Sequence, residues 1–375
     1  MKSKVAVVFF CIISIVLGLF AGAVGNHLIT LPSKRDPLIY GDLSIHFLEL
    51  GNKWVGDCTY IKYGDIDILI DAGSRNNSAS AIIEYIDPFV EDDTLEYVIA
   101  THAHEDHISG FYSQGSTIGI FEKYSVGTII DFPNTNKTNY SNSTVIGKYV
   151  NARNAEVEAG AKHYTALECY NNEGDAKRVW NLAEGLELEI LYNYYYDHSY
   201  STGENNFSVC AMINQDDNHY IFTGDLEEAG ERKLVEHYET MGGLPKCALY
   251  KGGHHGSGTS SCDEFLLDID PDYVCICSCA GTAEYTDNND TQFPTQEFID
   301  RIAPYTDAIY VTSMVDNYVS KDEWDSLGTV KSMNGNIVFN VINGTFTISC
   351  SNNNLILKDT EWFKSNRTTP SAWVA

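Results

Sequence analysis

Thr101-His102-Ala103-His104-Glu105-Asp106-His107 places three imidazoles and two carboxylates within six consecutive residues. Nitrogen and carboxylate donors of this kind are borderline ligands that suit zinc and related divalent ions. His102 and His104 are two apart, so an extended backbone turns both rings to one side. Asp106 and His107 follow where the chain bends and face a second ion. With only 11 histidines in 375 residues, a polar turn with chance histidines is the weaker reading.

Two later segments add donors. Phe222-Thr223-Gly224-Asp225 ends an apolar run in a carboxylate, which reads either as a group at a sheet edge or as a helix N-cap. In His254-His255-Gly256-Ser257-Gly258-Thr259-Ser260 an extended chain sends the two rings to opposite faces, so one of them is a ligand. The hydroxyls of Ser257, Thr259 and Ser260 suit either a phosphate contact or ordinary turn formation.

The elements that must position these groups alternate between strand and helix. Strands are expected at 43–48, 59–62 and 66–71, then a helix over 79–87 with Ser78 as cap and Pro88 as stop, then a strand over 95–100 ending at the histidine run. Residues 133–144 read as an Asn- and Thr-rich loop. A strand at 186–191, a tyrosine-rich loop over 192–206, a hairpin of 207–213 with 219–222, a helix at 227–238 and a further strand–loop–helix over 248–267 follow. Asn343-Gly344 marks a last hairpin between 337–342 and 345–350. This order is an α/β layered pattern.

Composition narrows the function. With 24 basic against 52 acidic side chains, a net charge of −28 and 43% hydrophobic residues, the chain packs a core and has no basic stripe with which to displace phosphate counterions. No strong nucleic-acid affinity is expected. Lys2 and Lys4 precede the apolar run Val5–Phe20 and a small-residue end at Ala21–Gly25, which reads as a secretory signal peptide, with an uncleaved signal anchor through residues 5–24 as its rival. Either places the remainder outside the cytoplasm, secreted or membrane-anchored. Cys275, Cys277 and Cys279 alternate along an apolar run, so all three thiols are expected buried on one face of a strand. Tyr192, Tyr194, Tyr195, Tyr196 and Tyr200 read either as the lining of a sugar or choline-like pocket or as a solvent loop.

The His102–His107 run resembles the His-x-His-x-Asp-His signature of the metallo-β-lactamase fold hydrolases. Leu69–Gly73 is similar to that family's strand ending in Asp-x-Gly, Thr223-Gly224-Asp225 to its Thr-Gly-Asp, and His254–Ser260 to the stretch that closes its site. Gly56-Asp57 and Asn205-Asn206-Phe207-Ser208 resemble landmarks of one branch, the hydrolase domains of DNA-internalisation competence proteins, here without the membrane channel. The resemblance implies a four-layer αβ/βα sandwich over residues 41–350, preceded by a signal or anchor (1–25) and a linker (26–40) and followed by a C-terminal tail (351–375).

It further implies two zinc ions per chain, with manganese or iron as substitutes. The ligands would be His102, His104, Asp106, His107, Asp225 and His255, with Asp106 and Asp225 catalytic. His254, Ser257, Thr259 and Asn206 would support the ligands or touch the substrate. The activity implied is hydrolysis, by a hydroxide generated at the dinuclear centre, of a phosphodiester or phosphorylated envelope-type substrate, either a small molecule or a polymer. Hydrolysis of an amide or ester, and a non-enzymatic metal-binding surface protein, are the alternatives. Three departures stand out. His163, His198 and His219, the histidines available as a further ligand, lack a ligand context; Phe293-Pro294 replaces the His-Pro of many relatives; and the loop before Gly56-Asp57 is longer.

Overall fold

Both halves of the chain begin as antiparallel meanders and change to parallel pairing part-way. In the first half β1 (Leu43–Phe47), β2 (Thr59–Tyr63) and β3 (Ile66–Ile70) are antiparallel, while β4 (Thr94–Ala100), β5 (Ser125–Asp131) and β6 (Lys162–Thr165) continue in parallel. In the second half β7 (Val179–Ala183), β8 (Leu186–Ile190), β9 (Ala211–Gln215) and β10 (Asn218–Phe222) form the meander. There β11 (Leu249–Lys251), β12 (Tyr273–Ala280) and β13 (Ile309–Val315) are the parallel strands, and β14 (Val330–Ser332) closes the edge. The hairpin β15 (Ile337–Ile342) and β16 (Thr345–Cys350) returns to pair with β1, giving, among the described residues, two eight-stranded sheets. Its turn residues Asn343 and Gly344 have φ of 49° and 71°, the left-handed pair that a two-residue hairpin requires. The computed structural model describes residues 42–199, 203–316 and 330–374; the expected signal or anchor, the linker and Tyr200 lie outside them. Among the described residues no helix is long and apolar enough to cross a membrane.

The inner faces of the sheets meet in one core. Phe339 of β15 packs edge-on against Tyr220 and Tyr273 at 5.7 and 5.5 Å. Outside the second sheet lie α3 (Glu228–Glu239), α4 (Asp263–Ile269) and α5 (Gln296–Ile302), with Leu234, Phe265 and Phe298 buried in one cluster with Ile221, Val274 and Ile276. The first sheet carries α1 (Ser78–Ile86) and α2 (Val145–Ala159) through Ile82, Ile86 and Tyr149. Each such side chain contributes roughly 1.5–3 kcal/mol on leaving water. The layering is α/β with helices outside two mixed sheets.

Local chemistry moves several expected boundaries. Ser78 is the first residue of α1, not its cap; its hydroxyl accepts from the Ser74 and Arg75 amides at 2.8 and 3.0 Å and shapes the turn before the helix. The expected strand from Phe207 starts only at Ala211, because Asn193 donates to the Asn206 and Ser208 carbonyls at 2.8 and 2.9 Å and holds that stretch off the sheet. Residues 351–374, expected as a tail, contain α6 (Glu361–Asn366), capped by Thr360, and its Trp362 and Phe363 are buried in the second sheet's outer cluster. The domain therefore continues past residue 350. Cys275 and Cys277 face the core between the sheets, but a register shift precedes Cys279, which packs with Ala283 and Val315. Eight of the nine described cysteines are buried, and all nine are free thiols.

Candidate metal centre

The strands that flank each change of pairing direction end at the same place, where loops at the carboxyl ends of strands gather functional groups. β3 ends at Asp71 and β4 at Thr101-His102; β10 ends at Thr223-Gly224-Asp225 and β11 runs into His254-His255. Asp71 turns back with φ of 59° and accepts from the Thr101 amide and hydroxyl, both at 2.7 Å. Two glycines permit the close approaches. A Cβ on Gly73 would lie 1.8 Å from the Asp106 carbonyl oxygen, and one on Gly224 2.9 Å from Thr101 Cβ. Around Gly73 the backbone is cross-linked, Ala72 N donating to His107 O at 2.8 Å and Asp57 N to Asp106 O at 3.0 Å.

Four imidazoles converge here, each by one nitrogen. His107 donates through Nδ1 to Asp71 at 2.7 Å, which leaves Nε2 at 3.1 Å from Asp225 Oδ2 and 3.2 Å from His255 Nε2. His255 donates through Nδ1 to the Cys277 carbonyl at 3.0 Å, and its Nε2 lies 3.3 Å from Asp225 Oδ2 and 3.6 Å from Asp106 Oδ2. His102 has Thr101 Oγ1 at 3.2 Å from Nδ1, while its Nε2 is 3.0 Å from His104 Nδ1 and 3.8 Å from Asp225 Oδ2. In these three rings the outward nitrogen is held by the protein and the inward one faces Asp225. That is the arrangement in which supporting groups orient imidazole ligands toward a metal. Donor atoms of Asp57, His107, Asp225 and His255 all lie within 4.8 Å of one another.

The charges explain why the cluster suits a cation. Asp57, Asp71, Asp106 and Asp225 are all buried. One buried ammonium, Lys251, touches Asp57 and lies 4.0 Å from Asp225 Oδ1, an oxygen with no hydrogen-bond partner. Burial opposes the charged form of Asp225, but His107, His255 and His254 hold its carboxyl well below the usual range. Burial likewise disfavours a charged His107, and the Asp225 and Asp71 carboxylates override it and raise that imidazole well above its ordinary value. His255 rises to about 9 against its own burial, driven by the Asp225 charge. His102, by contrast, is lowered by burial and by His107. A site that draws protons onto two imidazoles this strongly is one that a divalent cation satisfies by displacing them. The residues fit a metal.

The six expected ligands, His102, His104, Asp106, His107, Asp225 and His255, are brought together. The other expectations divide. Asp225 is not the cap of α3; Glu227 holds that position. His254 and His255 are not extended: their φ values of 47° and 55° put both in the left-handed region, uncommon for residues with a Cβ and typical of strained functional loops. His254 consequently also approaches Asp225 Oδ2, at 3.7 Å, with its other nitrogen on Thr259 Oγ1 at 2.9 Å. Ser257 and Thr259 bond each other at 3.0 Å and Ser260 donates to Leu226 O, so these hydroxyls shape the loop. Asn206 braces the turn after Asp225 through Glu227.

His163, His198 and His219 do not reach the cluster; they bond Asp131, Tyr194 O and Asn214 respectively. Phe293 packs its ring 5.7 Å from His254 and 6.2 Å from His255. Of the tyrosine loop, Tyr196 is buried, Tyr192 stacks on His237 and Tyr194 on His198. Sequence reasoning missed Lys251, whose signal was a charge inside the apolar Leu249-Tyr250 run. It also missed Tyr285, which donates to Asp106 Oδ2 at 2.8 Å and left no signal.

The model of the metallo-β-lactamase superfamily matches residues 51–113. Recombination protein 2 of Haemophilus influenzae is 25% identical over 262 residues, which is 69% of this chain and 26% of that protein. The chain thus spans about a quarter of that relative's length. Among solved structures, the metallo-β-lactamase fold protein YhfI from Bacillus subtilis is 10% identical with a TM-score of 0.40, covering 77% of this chain and 99% of that one. CmlA, a diiron β-hydroxylase from Streptomyces venezuelae, is 12% identical with a TM-score of 0.36, covering 64% and 45%. Residues 51–113 thus match the metallo-β-lactamase superfamily, and the structure adds a candidate metal site.

Proposed function

We propose that this chain is an exported, dinuclear metal-dependent hydrolase of phosphodiesters or phosphorylated envelope-type substrates. The observation that carries the reading is the convergence of three imidazole nitrogens, of His107, His255 and His102, on Asp225 Oδ2 at 3.1, 3.3 and 3.8 Å. His102 and His104 would hold one ion, Asp106, His107 and His255 the other, and Asp225 would lie between them. A bound divalent ion supplies Lewis acidity and brings the pKa of its water from 15.7 to about 7. Zinc suits the imidazoles, and the carboxylates also accept manganese or iron.

The chain's own residues set the geometry. Asp71 and the Cys277 carbonyl fix the tautomers of His107 and His255. Lys251 neutralises Asp57 without entering the imidazole set. Asp225 Oδ1, which lacks a partner, and Asp106 Oδ2, under the Tyr285 hydroxyl, would accept hydrogen bonds from an attacking water and so orient it. Hydrolysis of bis(p-nitrophenyl) phosphate by the purified protein, abolished by chelation and restored by added metal, supports the reading. A metal-loaded protein that cleaves amide or ester substrates but no phosphodiester overturns the substrate class, and one that cleaves none is a binding protein. Export rests on the Val5–Phe20 run behind Lys2 and Lys4. A reporter that is active only outside the cytoplasm, fused after Ala375, tests it.

A further inference from the structure

A cavity of about 530 Å³ opens beside the candidate metal centre, with His104 and Ala103 on one wall and the 136–139 loop and the start of α2 on the others. His104 is the signature histidine whose ring reaches this space, its Nδ1 facing His102 Nε2 at 3.0 Å. The charged side chains lining the cavity besides His104 are Glu105 and Lys137. Glu105 lies 3.3 Å from the Arg75 guanidinium. Lys137 is half-buried, and among the described residues no carboxylate pairs with its ammonium. Its ammonium is thus available, among the described residues, to an anion that enters the cavity.

The wall is built, not incidental. Glu204, 3% exposed, accepts from the Ala103 amide at 3.2 Å through one oxygen. Its other oxygen accepts from Thr135 Oγ1 at 3.0 Å and the Asn136 amide at 2.8 Å. Lys137 N in turn donates to Thr135 Oγ1 at 3.1 Å, and Asn134 donates to the Tyr195 and Tyr196 carbonyls. One buried carboxylate therefore ties the residue between His102 and His104 to the loop that carries Lys137. The remaining lining offers the neutral hydrogen-bonding side chains of Asn136, Thr138, Asn139 and Thr144 beside the aliphatic Val145 and Ile146, and no aromatic ring. A nucleobase is normally gripped by stacking on such rings; a hydroxyl-rich group is gripped by amides and hydroxyls.

We infer that this cavity is the substrate subsite, in which Lys137 binds a phosphate-type anion and the Asn and Thr side chains receive a hydroxylated, non-aromatic substituent, as in a phosphorylated polyol. The inference rests on the hydrolase reading above for its chemistry, but its test does not depend on turnover. Inorganic phosphate, glycerol 1-phosphate and phenyl phosphate are titrated calorimetrically into the metal-loaded full-length protein, wild type, Lys137→Gln and Lys137→Arg. Loss of one charge-assisted contact should weaken phosphate binding about tenfold in Lys137→Gln, with metal content unchanged and most of the loss restored in Lys137→Arg. Glycerol 1-phosphate should bind the wild type at least as tightly as phenyl phosphate does. Phosphate binding that is absent, or equal in wild type and Lys137→Gln, overturns the subsite, and tenfold tighter binding of phenyl phosphate overturns the polyol assignment. If Lys137-dependent binding is seen but no phosphodiester is cleaved, the subsite stands and the hydrolase reading fails.

Discussion

Two clusters of histidine and carboxylate lie at the carboxyl ends of the first sheet's parallel strands, and they differ in one respect. At the end of β5, Asp131 is buried and fully answered: His163 donates to one oxygen at 2.8 Å, and Arg153 and Tyr149 donate to the other at 2.7 and 3.1 Å. Next to it, at the ends of β3 and β4, the cluster extends across to the second sheet, and four buried aspartates share one lysine. Removing a charge from water is tolerable only when it is paired or ligated. The first cluster closes its charge within the protein. The second meets its carboxylates with Lys251 and with protons drawn onto His107 and His255, protons that a divalent cation can replace, and that, rather than the presence of histidines, marks it as the candidate metal site.

The largest effect should come from removing the carboxylate common to both proposed ions. Asp225→Asn keeps the shape, and since Glu227 occupies the cap position of α3, the fold should survive. Two-metal binding and phosphodiester hydrolysis should collapse, the latter by on the order of a hundredfold or more. Elemental analysis and steady-state kinetics on the variant check this; a variant retaining both metals and near-normal turnover would remove Asp225 from the centre.

The paired cluster should respond in stability instead. Burial would raise the Asp131 carboxyl, but His163 and Arg153 outweigh it and hold it below its ordinary 3.8. A depressed carboxyl contributes stability above its unfolded pKa and loses it as pH falls through the folded one. Asp131→Asn should therefore cost about 3 kcal/mol at pH 7, with the difference from wild type shrinking below about pH 4, and should leave metal content unchanged. Urea unfolding at pH 7 and pH 3 reads both. The smallest effect belongs to His163→Gln, which retains a donor for Asp131 and should cost about 1 kcal/mol, again with full metal content; metal loss here would make His163 a ligand.

This contrast also shows how far the sequence could be read. The His102–His107 run, the strand ends at Asp71 and Asp225 and the Asn343-Gly344 hairpin were legible because each is carried by local spacing and turn chemistry. Which histidines gather was only partly so. His163 is a strand histidine like many others until β5 and β6 pair and set it against Asp131. The left-handed backbone at His254-His255 has no glycine to announce it. Lys251, Glu204 and Tyr285 owe their roles to partners 194, 101 and 179 residues away, and no periodicity records a contact at that separation. Helix α2 carried no clear signal because its apolar residues are spread around the helix rather than gathered on one face, and only Ile146, Gly147 and Tyr149 are buried.

Divalent metal is expected to take the place of the protons that the Asp225 cluster draws onto His107 and His255. The most direct test is thermal unfolding of the purified full-length protein with its metal content measured, before and after exhaustive chelation. The expected result is about two transition-metal ions per chain, a melting temperature that drops on their removal, and recovery of both on adding zinc. A protein that carries no divalent metal as purified, and whose melting temperature is unmoved by chelator or by zinc, would contradict it.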